Sequence, residues 1–237
     1  VTVERPVRRA PAAATRRERA VARSVDPARV RAEKRLQRFL DAALELIAEA
    51  SGPEFTVAEV VERSGQSLRS FYQYFAGKHE LVLALFEESV RSAAEELRAL
   101  VAAEPEPGER LRRFVLEYHR MCGADPTATS TAKSPPNPAI AEWAQRLLTE
   151  HPREAARAYE PLVDLFEELL VQAEAAGVAR PGLAHRRLAG IVLQAVMFHS
   201  FAAVISSSPR ADGSAAAEEL WALICSGIGP TRPPADG

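Results

Sequence analysis

Cysteine is almost missing from this chain. The two residues present in 237, Cys122 and Cys225, have no CxxC partner and no Cys/His neighbour at metal spacing. That argues against a disulfide scaffold and against a zinc centre built on thiolates. The five histidines, at 79, 119, 151, 185 and 199, include no HExxH pair, so no metal site is expected. Aromatic residues make up only 6%, and alternating β-branched runs are scarce beside the abundant Ala, Leu, Glu and Arg. An all-α protein is expected. No internal repeat is present. The second half lacks any basic cluster that would mark a phosphate or nucleotide site, so no cofactor is expected and a coenzyme A ester has no residue support there. Catalysis also lacks a constellation. Gly65-Gln66-Ser67 resembles the start of a nucleophile elbow, but Arg69 stands where the second glycine must be and no strand precedes it. The chain is not expected to be an enzyme.

Long apolar runs are nearly absent as well. Residues 188 to 205, LAGIVLQAVMFHSFAAVI, form the one 18-residue candidate and reach the minimum for a membrane span. Gln194, His199 and Ser200 interrupt the run, and a buried helix with partners on more than one side is expected. No apolar segment follows the arginines near the beginning of the chain, so the expectation is a cytoplasmic protein. Net charge is small, at −2, but unevenly distributed. Residues 1 to 35 carry 11 Lys+Arg against 4 Asp+Glu, a surplus of seven positive charges, which leaves nine surplus negative charges on the remainder.

What is present is concentrated between residues 56 and 81, TVAEVVERSGQSLRSFYQYFAGKHEL. Thr56 is a good N-cap, and Val57, Val60 and Val61 follow on one helical face. The pattern breaks at Ser64-Gly65, where glycine permits the positive φ of a tight exit, and Ser67 can cap the next helix. In that helix Leu68, Phe71 and Phe75 recur at i, i+3 and i+7, leaving Gln66, Arg69, Ser70, Gln73 and Tyr74 mainly on the other faces. Guanidinium and amide groups can pair bidentately with base edges, while hydroxyls and Lys78 can hold phosphates. Ala76-Gly77 is expected to close the helix and His79-Glu80-Leu81 to open the next. The segment reads as a DNA-binding helix-turn-helix. An ordinary helical hairpin with a solvated face is the alternative.

Thr56, Val60, Gly65, Ser67, Tyr72, Phe75, Lys78, Glu80 and Leu81 resemble the helix-turn-helix signature of the TetR family of bacterial transcriptional regulators. FLDAALELIAEA, residues 39 to 50, resembles that family's first helix. The departures are Val61 where Ala is usual, Gln66 where a small aliphatic is usual, and Arg69 where Gly is frequent. The resemblance implies a three-helix DNA-binding domain followed by a helical ligand-binding and dimerisation bundle, with a phosphate contact from Tyr72. The candidate DNA-binding set is Arg35, Thr56, Gln66, Ser67, Leu68, Arg69, Ser70, Tyr72, Gln73, Tyr74 and Lys78.

Four regions are expected. Residues 1 to 28 form a basic arm whose Arg and Pro content points to disorder, and which either reaches along phosphates or is idle. Residues 29 to 78 form the DNA-binding domain, 79 to 229 the effector and dimerisation domain, and 230 to 237 a flexible tail. In the second domain a long helix over 79 to 103, with Leu81, Leu85, Val90, Leu97 and Val101 on one side, precedes helices near 107–123, 137–150, 153–176, 182–207 and 214–228. Ala124 to Pro138 reads as an irregular loop or pocket flap. Leu220, Trp221, Ile224 and Ile228 offer a stripe on the last helix, and the resemblance implies a homodimer through the final two long helices. Candidate pocket residues are Tyr118, Met121, Cys122, Trp143, Tyr159, Phe166, Gln194, Met197 and Phe201, with core packing as the competing role for each. Among these Gln194 stands out, because a buried amide needs partners. The combined expectation is a repressor released from operator DNA by a small apolar ligand. The alternatives are a helical enzyme or carrier using the pocket, and a DNA-binding regulator with no effector.

Overall fold

The computed structural model describes residues 16–50, 55–122, 147, 149–205 and 213–229. All regular structure among them is helical: α1 (Arg16–Ala50), α2 (Val57–Ser64), α3 (Leu68–Tyr74), α4 (Lys78–Ala102), α5 (Pro107–Cys122), α6 (Pro152–Ala175), α7 (His185–Ile205) and α8 (Gly213–Ile228). Of the helix expected over 137–150, residues 147, 149 and 150 are described and helical. The expected loop at 124–138, the tail at 230–237 and residues 1–15 of the arm lie outside the described residues. Residues 16–28 differ from expectation. They belong to α1, where Ala, Arg and Glu favour the helix, and Pro27 sits inside it at the cost of one backbone hydrogen bond and crowding against the preceding turn.

Two hydrophobic cores organise the chain. The smaller gathers Phe39, Ala43 and Ile47 of α1, Phe55, Val60 of α2, Phe71 of α3, Phe75, and Leu81, Val82 and Leu85 of α4. The larger begins one residue later, at Phe86, and takes Val90, Ala94, Leu97 and Val101 of α4 together with apolar faces of α5, α6, α7 and α8. Helix α4 is therefore common to both. The buried residues of its first two turns belong to the helix-turn-helix core and those from Phe86 on to the bundle, while His79 and Leu83 reach the bundle from the first part.

Local signals explain the boundaries of the smaller unit. Thr56 Oγ1 accepts a hydrogen bond from the Glu59 N–H at 3.2 Å, and the Glu59 carboxylate accepts one from the Thr56 N–H at 2.7 Å. This reciprocal capping box starts α2. Gly65 ends it at φ 63° and ψ 26°, a left-handed conformation that suits glycine. Ser67 then caps α3 by accepting from the Ser70 N–H at 3.1 Å. Arg63 clamps α2 to α1 through a two-pronged contact with Glu49 at 2.7 and 2.8 Å.

Inside the bundle α4, α5 and α6 enclose the core, with Phe114 and Phe166 stacked obliquely at 4.8 Å between ring centroids. Arg98 of α4 pairs with Glu168 of α6 at 2.7 Å, and Arg112 of α5 pairs with Glu218 of α8. Leu220 and Ile228 of α8 are buried against this core, while Trp221 and Ile224 are partly buried on it. Helix α7 contributes Ala189, Val192, Leu193 and Val196. No helix among the described residues is long and apolar enough to cross a membrane.

Phe71 is fully buried, whereas Leu68 on the same short helix is 50% exposed. Phe71→Ala is expected to cost about 3–5 kcal/mol and Leu68→Ala within about 0.5 kcal/mol, measured by urea unfolding. Equal losses at the two positions would show that α3 is not anchored by this core.

Candidate nucleic-acid interface and bundle recess

Helix α3 has only seven residues, too few to persist unsupported in water. An aromatic cluster holds it. Phe71 meets Phe39 of α1 edge-on at 5.5 Å, Phe75 meets Phe39 at 6.3 Å, and Phe71 and Phe75 lie 5.4 Å apart. Phe75 does this from just beyond the helix, where its backbone is extended. With that side committed to the core, Leu68, Arg69, Tyr72 and Gln73 are left exposed on the other.

The burial assignment made from periodicity needs two changes. Leu68 is not part of the buried stripe: it is 50% exposed at the first residue of α3, while Phe71 is fully buried. Tyr74, expected among the outward residues, is partly buried and its ring lies 6.2 Å from that of Phe39. Tyr72 is 57% exposed, its ring set edge-on to Phe71 at 5.5 Å. Arg69 has no acceptor among the described residues, unlike the arginines that pair within the fold.

The other candidates flank this edge. Ser67 is exposed at the N-cap, and Gln66 is half-buried with its amide 3.5 Å from the Gly65 carbonyl oxygen. The Ser70 hydroxyl is enclosed and without a hydrogen-bond partner among the described residues. Thr56 is exposed but occupied in the capping box. Lys78 opens α4, one residue earlier than expected, and sets its ammonium 4.6 Å above the Phe55 ring. Arg35 is exposed on α1. The backbone N–H of Ala76 donates to the Glu80 carboxylate, which fixes the turn between α3 and α4.

The second candidate site is a recess of about 490 Å³ between α6 and α7. It is open to solvent past exposed Pro152, Ala156, Glu160, Arg186 and Gln194, and its floor includes Tyr159, Val163, Leu193 and Met197. Tyr159, Gln194 and Met197 were expected at a pocket. Gln194 is not buried, because it faces the open side of α7. The Tyr159 hydroxyl donates to Met197 Sδ at 2.9 Å. Tyr118 and Cys122 hydrogen-bond behind it, where burial pushes the Cys122 thiol up to about 12 and raises both tyrosines, so all three groups stay neutral.

Phe166 is fully buried against Phe114 and forms core instead of recess wall. Met121 is partly buried against the same core and does not line the recess. Trp143 and the side chain of Phe201 lie outside the described residues. Glu160 and Arg186 were missed by the sequence reading. Arg186 is held at the rim by Asp164 at 2.6 Å and Glu167 at 3.0 Å. Exposed charges on amphipathic helices carry no signal that separates a rim from ordinary surface.

Residues 39–85 match the family model described as bacterial regulatory proteins, tetR family. That stretch holds all of α2 and α3, the last third of α1 and the first two turns of α4. No match was found among curated proteins. Several solved structures share the fold. The Thermus thermophilus FadR, a TetR-family transcriptional repressor solved with lauroyl-CoA, is 22% identical with a TM-score of 0.64, covering 85% of this chain and 99% of its own. The fatty acid degradation regulator FadR from Bacillus halodurans is 19% identical with a TM-score of 0.63, covering 80% and 94%. The Bacillus subtilis transcriptional regulator FadR, solved with stearoyl-CoA, is 17% identical with a TM-score of 0.60, covering 81% and 98%. At these identities the likeness speaks for the fold, and the helix-turn-helix segment speaks for the family. Residues 39–85 thus form a helix-turn-helix segment of the tetR-family type, and the chain as a whole is similar in fold to regulators that carry one.

Proposed function

We propose that the chain is a cytoplasmic homodimeric repressor that reads operator DNA with α3 and is released when a small, largely apolar ligand occupies the bundle. The observation carrying this reading is the division of α3 into a fully buried Phe71 and an exposed edge bearing Arg69, Tyr72 and Gln73, with Arg69 lacking an acceptor among the described residues. A guanidinium so exposed is matched to guanine O6 and N7, Gln73 to adenine, and Ser67 and Tyr72 to phosphate oxygens.

Dimerisation answers the smallness of the reader. Two copies related by a twofold axis read half-sites about 34–36 Å apart. Ile191 at 55%, Phe198 at 44% and Leu223 at 71% exposure give α7 and α8 an uncovered apolar face that supports pairing through these helices. Ligand control then acts through α4. A ligand bound beside α6 and α7 that favours one packing of α6 against α4 changes the tilt of α4, and with it the half-site spacing. DNA affinity falls only by the ligand's differential affinity for the two arrangements.

The recess between α6 and α7 supports a ligand of moderate size, with an apolar floor and the Gln194 amide at the mouth. Two FadR proteins of similar fold were solved with stearoyl-CoA and lauroyl-CoA, which supports acyl chains as the first ligands to try. Selection of binding sites from random duplexes gives the operator needed for three tests. Arg69→Ala is expected to cost about 1–3 kcal/mol and to relax specificity at one base pair, whereas equal losses on every duplex would make it a phosphate contact. Deleting residues 1–28 is expected to flatten the dependence of log K on log salt, and an unchanged slope would show the arm to be idle. Titrating the operator complex with medium and long fatty acids and their thioesters is expected to release DNA, less readily after Gln194→Leu. Indifference to all such compounds would leave a regulator without an apolar effector.

A further inference from the structure

At the start of α6, next to Pro152 at the mouth of the recess, three ligating side chains from two distant parts of the sequence meet. His79 Nε2 lies 2.9 Å from Glu154 Oε2, and His151 Nδ1 lies 4.0 Å from the same oxygen. The imidazole rings are 4.6 Å apart at their centroids, and one ligand atom from each residue lies within 4.8 Å of the others. We propose that His79, His151 and Glu154 form a binding site for a divalent transition-metal ion of the zinc class, bridging the first turn of α4 and the start of α6.

The donor set fits that class. Two imidazoles and one carboxylate are borderline ligands suited to zinc, whose bonds of about 2.0–2.2 Å put neighbouring ligand atoms about 3.3 Å apart in a tetrahedron. The observed separations of 2.9 and 4.0 Å lie on either side of that value. All three side chains are partly exposed, His79 at 47%, His151 at 45% and Glu154 at 36%, so small rotations can close the set and water can take the fourth position. Calcium and magnesium prefer all-oxygen shells and fit poorly. Glu154 is already drawn to the imidazoles. The hydrogen bond from His79 is the main cause of its lowered pKa.

The position gives the site a consequence. His79 stands two residues before Leu81, in the part of α4 packed into the helix-turn-helix core, while His151 and Glu154 stand at the N-terminal end of a bundle helix. An ion shared by the three ties the DNA-reading unit to the effector domain at the start of their common helix. Binding of the ion rests on the cluster alone. Its influence on DNA rests on the reading of α3 given above, so the two fail separately.

The test uses the full chain, stripped with a chelator and titrated with zinc chloride by calorimetry, with cobalt(II) absorption as a second probe. One ion per chain at micromolar or tighter Kd is expected, with an unfolding midpoint that rises with zinc. His151→Ala and Glu154→Gln should each weaken binding about tenfold or more without altering helical circular dichroism. Millimolar binding, or equal binding by both variants, would overturn the assignment. For the bridge, zinc should slow amide exchange in peptides covering 76–85 and 149–156 of the parent and in neither variant. Exchange unaffected by zinc in the parent would overturn the bridge.

Discussion

The aromatic contact among Phe39, Phe71 and Phe75 is the constraint on which the rest depends. A helix of seven residues has little stability of its own, and the capping bond from Ser67 supplies only about 1 kcal/mol. Burial of one phenylalanine side chain supplies about 1.5–3 kcal/mol and, more importantly, fixes the rotation of the helix about its axis. Once Phe71 points inward, Arg69 and Gln73 have to point outward. The orientation of the polar edge is thus set by apolar packing, and no interaction of the edge itself is needed to hold it.

The same logic extends along α4. Leu85 closes one core and Phe86 opens the other, so the helix cannot rotate without disturbing both. A continuous helix of 25 residues carries displacement along its length with little loss, and its far end is gripped by α5 and α6 through Leu97, Val101 and the Arg98–Glu168 pair. Repacking at the α6 face is therefore felt at Leu81, beside the turn that Glu80 fixes. This is a physical route between the bundle and the helix-turn-helix. It uses discrete packing arrangements, not elastic deformation of a loose core.

How much of this was legible in the sequence depended on whether the signal was local. Thr56, Gly65 and Ser67 marked the ends of α2 and α3 because capping and left-handed turns are local events. The inward stripe of α4 was legible because the helix is long enough for its period to repeat. Leu68 was misassigned because three apolar residues at i, i+3 and i+7 look alike on paper, and the end of α3 at Tyr74 decides which of them are inward. The helical state of residues 16–28 was hidden behind Pro27 and a high arginine content. The recess was half legible. Tyr159 and Met197 stood out as large or soft apolar groups, while Glu160 and Arg186 looked like solvated surface. The His79, His151 and Glu154 cluster was illegible because 72 residues separate its first two members, and only the packing of α4 on α6 brings them together.

Charge distribution adds a constraint that packing does not supply. The first 35 residues carry seven surplus positive charges, and the remainder carries nine surplus negative ones. On the reading of α3 proposed above, a duplex attracts the basic first 35 residues and repels the acidic remainder, which favours approach from the α1 side. The near-neutral total conceals this orientation. Because most of the acidic surplus lies in the bundle, non-specific adsorption of DNA through that part is disfavoured. On that reading, charge steers the approach, while burial of Phe71 has already fixed which edge α3 presents.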